Sequence, residues 1–291
     1  MDGATRQTGN GRAIAVMCVG VAILVTNDAM AKDLVARFHP VQIVFLRNLI
    51  ALPLIAAVLV RRSGTAGIRS QCLPVHALRA GLAVAASWLF IGSLGALSLA
   101  TATSIIFLAP VFVALLSMPL LGQPVTALRA GAIGLGFMGA LVVLRPGAGS
   151  LEPASFAALG AALVHALVMM SARRIDPDEG FWTMTFWMSL FPGLICAASL
   201  AMPWPEIEAG DIALFVGMAV CGTLGIALIS QAFRMGDAAA VAPFDYTALI
   251  WASALGWAIW GTVPDGFVWL GAGIIAASGL ALILGDRHGT R

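Results

Sequence analysis

Ten apolar stretches, each about as long as a bilayer core is thick, fill this 291-residue chain and leave it few ways to fold. A helix needs roughly 20 apolar residues to cross hydrocarbon. The stretches run over 13–35, 41–60, 74–95, 101–121, 127–145, 153–173, 181–202, 211–233, 239–260 and 266–285. The connections are short and built from helix breakers: His39-Pro40, Arg61-Arg62-Ser63-Gly64, Gly122-Gln123-Pro124, Arg145-Pro146-Gly147, Asp176-Pro177, Pro203-Trp204-Pro205 and Val263-Pro264-Asp265. Proline removes a backbone donor and glycine loosens the backbone, so helices stop there. No alternation at strand period is present, which sets a β-barrel aside and leaves spanning helices. Composition agrees: 10% of the residues are charged, against about 25% in a soluble domain. Too little polar surface exists to cover a soluble core, so lipid is the expected solvent.

Several functions are set aside at this level. The net charge of +2 and the lack of a basic stripe give no footing for nucleic acid. No Ser/His/Asp set, HExxH run, phosphate loop or cysteine cluster of useful spacing occurs, so no catalytic residue, metal or cofactor is expected. Cys18, Cys72, Cys196 and Cys221 read as buried free thiols. The first stretch contains Asn27 and Asp28, is longer than a signal-peptide core and lacks a clear A-x-A site, so it reads as an uncleaved span.

Basic residues set the orientation. With the N-terminus in the cytoplasm and ten alternating spans, twelve Lys and Arg fall inside: Arg6, Arg12, Arg61, Arg62, Arg69, Arg79, Arg129, Arg173, Arg174, Arg234, Arg287 and Arg291. Three fall outside (Lys32, Arg37 and Arg145) and Arg47 lies within a span. This bias predicts both termini cytoplasmic. The acidic trio Glu206, Glu208 and Asp211 then lies outside.

The second five stretches echo the first five. Leu97–Gln123 aligns with Gly236–Thr262 at an offset of 139, each opening on small residues and closing on a glycine-led break. Phe45 aligns with Phe186 at an offset of 141, and Gly131 and Gly139 with Gly271 and Gly279. Five is odd, so the second unit must run upside down relative to the first. The expected architecture is therefore an all-α membrane protein of ten transmembrane helices in two inverted five-helix repeats. An N-terminal tail (1–12) precedes the first repeat (13–145); a connecting loop (146–152), the second repeat (153–285) and a C-terminal tail (286–291) follow. Inverted repeats of this kind recur in secondary transporters.

The small-residue run before the fourth stretch, Pro110 within it and the Gly122-Gln123 exit resemble the half-repeat signature of the drug/metabolite transporter superfamily, in its ten-span EamA-type members. Family members often carry Glu where this chain has Gln123 and Thr262. Asn27-Asp28-Ala29 with Lys32, then Pro40, Gln42, Phe45 and Arg47, then Pro243-Phe244-Asp245-Tyr246-Thr247 resemble a subgroup. That subgroup includes S-adenosylmethionine and riboflavin importers and opine-metallophore exporters. The resemblance implies a non-enzymatic secondary transporter of the cytoplasmic (inner) membrane, a monomer or homodimer, that moves a small polar or zwitterionic metabolite (amino-acid-like, nucleoside-like or flavin-like) by alternating access. The rival readings are a membrane-embedded lipid-modifying enzyme and a non-transporting sensor.

Ionisable and polar groups within the stretches are the candidate site, since such groups are costly in lipid and persist against a cavity or a partner. Asp28 either pairs with Lys32, four residues on, or meets a cationic substrate group or a proton. Arg47 lies about 10 Å along its helix at 1.5 Å per residue. It either pairs with Asp28 or Asp245 or offers its fork to a substrate anion. Tyr246, the one tyrosine in the chain, is read as a cavity residue in preference to Asp245, a candidate helix-terminal charge. His165 is either a packing residue or a substrate or proton contact. Trp88 and Trp187 either pack or present an indole N–H to a cavity. The substrate-binding candidates are thus Asn27, Asp28, Arg47, Trp88, His165, Trp187 and Tyr246, and the proton-coupling candidates are Asp28, His165 and Asp245. Trp204, Trp260 and Trp269 read as interfacial anchors. The glycines of the fifth and tenth stretches read as close-packing faces, within a protomer or between protomers.

Overall fold

A computed structural model describes residues 2–121, 127–144, 152–176, 178–236 and 241–288. The breaks Gly122-Gln123-Pro124 and Arg145-Pro146-Gly147, together with Pro177, Ala239 and Ala240, lie outside the described residues. Within them every regular element is helical. The α-helices are α1 (Asp2–Leu34), α2 (Pro40–Ser63), α3 (Leu73–Leu94), α4 (Leu99–Ile106), α5 (Ala109–Leu121), α6 (Ala127–Leu144), α7 (Pro153–Ser171), α8 (Phe181–Cys196), α9 (Ala209–Met235), α10 (Ala248–Trp260) and α11 (Gly266–His288).

Local chemistry sets the ends. At α2, Pro40 occupies the first helical position, where its missing N–H costs nothing. The Gln42 side chain turns back to accept from His39 N at 2.9 Å. At α4, Ser98 Oγ accepts from Thr101 N at 3.1 Å. Helix α9 starts with Asp211 Oδ2 accepting from Glu208 N at 2.9 Å. Gly261, left-handed at φ 66°, closes α10.

Seven helices among the described residues are long and apolar enough to cross a membrane: Gly11–Leu34, Pro40–Ser63, Leu73–Leu94, Leu99–Ser117, Pro153–Ser171, Phe181–Ala201 and Ala209–Met235. Ala130–Val143 and Gly266–Ala281 are shorter apolar helices. Two expected stretches are interrupted. The fourth breaks at Phe107-Leu108, just before Pro110, which cannot donate to the preceding turn. The ninth opens as a 3-10 helix, Ala242–Thr247, carrying Pro243, and becomes α-helical only from Ala248. The first helix begins well before residue 13, at Asp2.

The packing has twofold order. The most extensive helix contacts are α1 with α9, α6 with α11, α3 with α7, and α2 with α8, followed by α3 with α8 and α2 with α9. Exchanging the halves sends α1 to α7, α2 to α8, α3 to α9 and α6 to α11. Each of these contacts then maps onto itself or onto another of the set. The equivalent residues Phe107 and Tyr246, 139 apart in the alignment, pack ring against ring at a 45° tilt, 4.8 Å between centroids.

Close approach depends on glycine at two seams. On α1–α9, a Cβ at Gly225 would stand 3.1 Å from Gly20 O. On α6–α11, a Cβ at Gly139 would stand 2.9 Å from Gly271 O. The glycine faces of the fifth and tenth stretches therefore divide. Gly136, Gly139 and Gly271 pack within the chain, whereas Gly131, Gly134 and Gly273 have nothing within 4 Å of the same position. Of the cysteines, all free, Cys196 alone is fully buried; Cys18, Cys72 and Cys221 are half-buried, a correction to their reading as interior thiols.

Candidate functional site

Helices α1, α2, α8 and α9 line a cavity of about 130 Å³. That is smaller than the roughly 300–1,000 Å³ of a site holding a whole drug-sized ligand, so it suits one end of a larger molecule. Its polar lining comes from Asn27 of α1, Arg47 and Asn48 of α2, Thr185 and Ser189 of α8, and Thr223 of α9. Leu24, Ala51, Ile55, Met188 and Met218 supply apolar wall.

Most of these polar groups are committed to the scaffold. Asn48 Nδ2 donates to Val44 O at 2.8 Å, and Ser189 Oγ donates to Asn48 Oδ1 at 3.2 Å. Thr185 and Thr223 each donate to the carbonyl one turn back, Phe181 O and Ala219 O, both at 2.8 Å. Two of them, Asn27 and Arg47, are not so committed. Asn27 Nδ2 donates to Asp28 Oδ1 at 3.0 Å, while the buried Asn27 Oδ1 has no partner among the described residues. Gly222 leaves the space beside that oxygen open, since a Cβ there would come within 3.2 Å of it. Arg47 feels the charge of Asp28 without closing into a direct ion pair, and its guanidinium makes no hydrogen bond among the described residues.

Of the two readings of Asp28, the pair with Lys32 does not form. Lys32 Nζ instead donates to Leu94 O and Leu97 O, each at 2.7 Å, and lies 5.5 Å over the Trp260 ring. Leu94 ends α3, where acceptors lack intrahelical partners, and Leu97 follows in the turn before α4. Asp28 is thereby left to Asn27 and the field of Arg47.

The remaining candidates lie elsewhere. Trp187 donates its indole N–H to Ile68 O at 3.0 Å and stacks on Phe191. Tyr246 packs on Phe107 with its hydroxyl against Gly279, where no larger residue fits. Asp245 and His165 are exposed, and Trp88 is 47% exposed; none of the three lines this cavity. Trp204, expected as an interfacial anchor, donates to Ser199 O at 2.9 Å and meets Phe45 edge-on. Ser189, Thr185 and Thr223 were not singled out in the sequence. Hydroxyls are common in membrane helices, and only the tertiary packing turns these three toward one space. Gln42, noted beside Arg47, is spent on His39 N and on Pro203 O at 3.0 Å.

Residues 11–145 and 153–285 each match the EamA-like transporter family. The S-adenosylmethionine uptake transporter of Rickettsia bellii is 26% identical over 267 residues, covering 90% of this chain and 89% of that one. The riboflavin transporter of Vibrio cholerae is 29% identical over 234 residues, covering 79% and 76%. A solved crystal structure of another protein aligns with a TM-score of 0.62 over 96% of this chain and 98% of that one; at 16% identity it speaks for the fold alone.

Proposed function

The chain belongs to the EamA-like transporter family, as two repeats of a multi-pass membrane protein, and from that premise we propose that it carries a small zwitterionic metabolite across the cytoplasmic membrane by alternating access. Ten segments cross the bilayer with both termini cytoplasmic, the orientation favoured by the basic residues. The second repeat runs inverted to the first, and the protein acts as a monomer or homodimer.

One observation carries the substrate class. Among the described residues, Arg47 keeps its guanidinium free of hydrogen bonds at the wall of a cavity that also holds an acceptor without a partner, Asn27 Oδ1, with Asp28 behind it. An ionised side chain deep in a span costs about 2.5–3.5 kcal/mol on insertion scales. A chain that leaves one unsatisfied has a use for it. Arg47 takes the carboxylate of the metabolite in a bidentate fork, and Asn27 with Asp28 takes its cationic end. An amino-acid head group fits this pattern, and a neutral flavin does not. Among the relatives, the pattern favours an S-adenosylmethionine-like substrate over a riboflavin-like one. Asp28 is the proton-coupling candidate placed beside the cavity; His165 and Asp245 would act from outside it.

A thermal-shift comparison on purified protein tests this reading, because a ligand bound by the native state alone raises apparent stability by mass action. S-adenosylmethionine is expected to raise the Tm of the wild type and to leave Arg47→Ala unmoved, with riboflavin inert on both. Stabilisation by riboflavin alone, or equal stabilisation of Arg47→Ala, contradicts it.

A further inference from the structure

Two side-chain clusters outside the cavity fasten opposite ends of the α2–α8 pair. At the start of α2, Arg37 NH1 donates to both Asp211 oxygens at 2.9 Å. Its NH2 meets Glu208 Oε1 at 2.9 Å and Glu206 O at 3.0 Å, while Gln42 Nε2 donates to Pro203 O. At the start of α8, Ser70 Oγ donates to Glu179 Oε2 at 2.9 Å, and His76 Nε2 meets Glu179 Oε1 at 2.6 Å. Thr183 Oγ1 donates to Gly67 O at 2.8 Å. The start of α2 is thus tied to the α8–α9 connection, and the start of α8 to the α2–α3 connection.

The repeat relates these two clusters. At the offset of 141 that pairs Phe45 with Phe186, Gln42 meets Thr183 and Ser70 meets Asp211. Arg37 falls one residue from Glu179. The Arg37–Asp211 and Glu179–Ser70 contacts therefore occupy equivalent places, and so in kind do Gln42–Pro203 and Thr183–Gly67. The residue types are unrelated: an arginine fork at one end, a carboxylate taking a serine and a histidine at the other. What recurs is the fastening itself, at the tip where the α1–α2 or α7–α8 pair meets the opposite half. Pro53 in α2 and Pro192 in α8, 139 apart, each remove one ladder hydrogen bond and give both helices a bend point.

We propose that the Arg37–Glu208–Asp211 and Ser70–His76–Glu179 clusters are reciprocal latches, each closing one end of the transport path. This rests on the transporter reading above. Both latches are engaged here, so opening toward either side requires one set to break. In a two-state device, weakening one latch favours the conformer open at that end and closed at the other. A pair of static staples would behave otherwise: loosening one end would leave the far end alone.

Hydrogen–deuterium exchange on the full chain in lipid nanodiscs separates the two, with no transported substrate needed. Arg37→Ala is expected to raise exchange over 203–212 and lower it over 65–76 and 178–183; Glu179→Ala is expected to do the reverse. Two variants at separate ends keep the test alive if one fails to fold. Arg37→Lys, which keeps the charge, should lie between the wild type and Arg37→Ala. Faster exchange confined to the mutated end in both variants overturns the proposal. Flux of radiolabelled S-adenosylmethionine and riboflavin, measured in parallel, reports on the transport reading separately. Reciprocal exchange without flux of either probe would leave the latches standing and sink the substrate assignment. Flux without reciprocity would do the opposite.

Discussion

Arg47 is the residue on which the account turns. A guanidinium bound to no protein group destabilises the fold unless something else occupies it. Arg47→Leu should therefore raise the Tm of the substrate-free protein while removing substrate binding, the trade expected of a strained functional position. Arg47→Lys should keep the charge but lose the fork, and with it roughly tenfold or more of affinity at about 1.5–3 kcal/mol for a charged hydrogen bond. Calorimetric melting with and without ligand reads both effects. Asn27, Asp28 and Arg47 could be marked in the sequence because polar groups within apolar stretches are few. Lys32 was harder to assign: its carbonyl partners, at the end of α3 and in the turn after it, are more than sixty residues away, and nothing in the local spacing names them. Arg37 and Asp211 were nearer to legible. The charge count already places both on one side of the membrane with opposite signs.

At the scale of helices, the seams make the sharpest predictions. Gly139→Ala puts a methyl group against Gly271 O and the Ile275 backbone. It should destabilise by about 1–3 kcal/mol, the usual cost of overpacking. Gly131→Ala, on the same helix with open space around it, should be near neutral or slightly stabilising through helix propensity. Thermal melts of the two variants decide this; equal Tm values would deny the seam. Seven of the ten apolar stretches became helical segments close to their expected limits, and the first was extended back to Asp2. The fourth and ninth were harder, because a broken helix and a continuous one share the same hydropathy. Pro110 and Pro243 were visible as residues, but whether each would kink, cap or end its helix depended on its neighbours.

For the whole molecule, the exchange symmetry of the packing supports one mechanism with two mirrored ends. Its chemistry is less symmetric. Arg47 and Asp28 belong to the first half, and the second half contributes hydroxyls and a mostly apolar wall. A ligand would be gripped from one side and released as the other moves. Ten alternating spans predict that a cysteine at Thr65 reacts with impermeant thiol reagents only from the cytoplasmic face, and one at Glu206 only from the outside; the opposite pattern would invert the orientation. The proposed role of Arg47 is decided by counterflow in proteoliposomes, using radiolabelled S-adenosylmethionine outside and the unlabelled compound inside. Saturable label uptake is expected from the wild type, with at least a tenfold loss in Arg47→Ala, consistent with about 1.5–3 kcal/mol for its charged contacts. Uptake by Arg47→Ala at the wild-type rate, or no uptake by a wild-type protein that melts as a folded species, would contradict it.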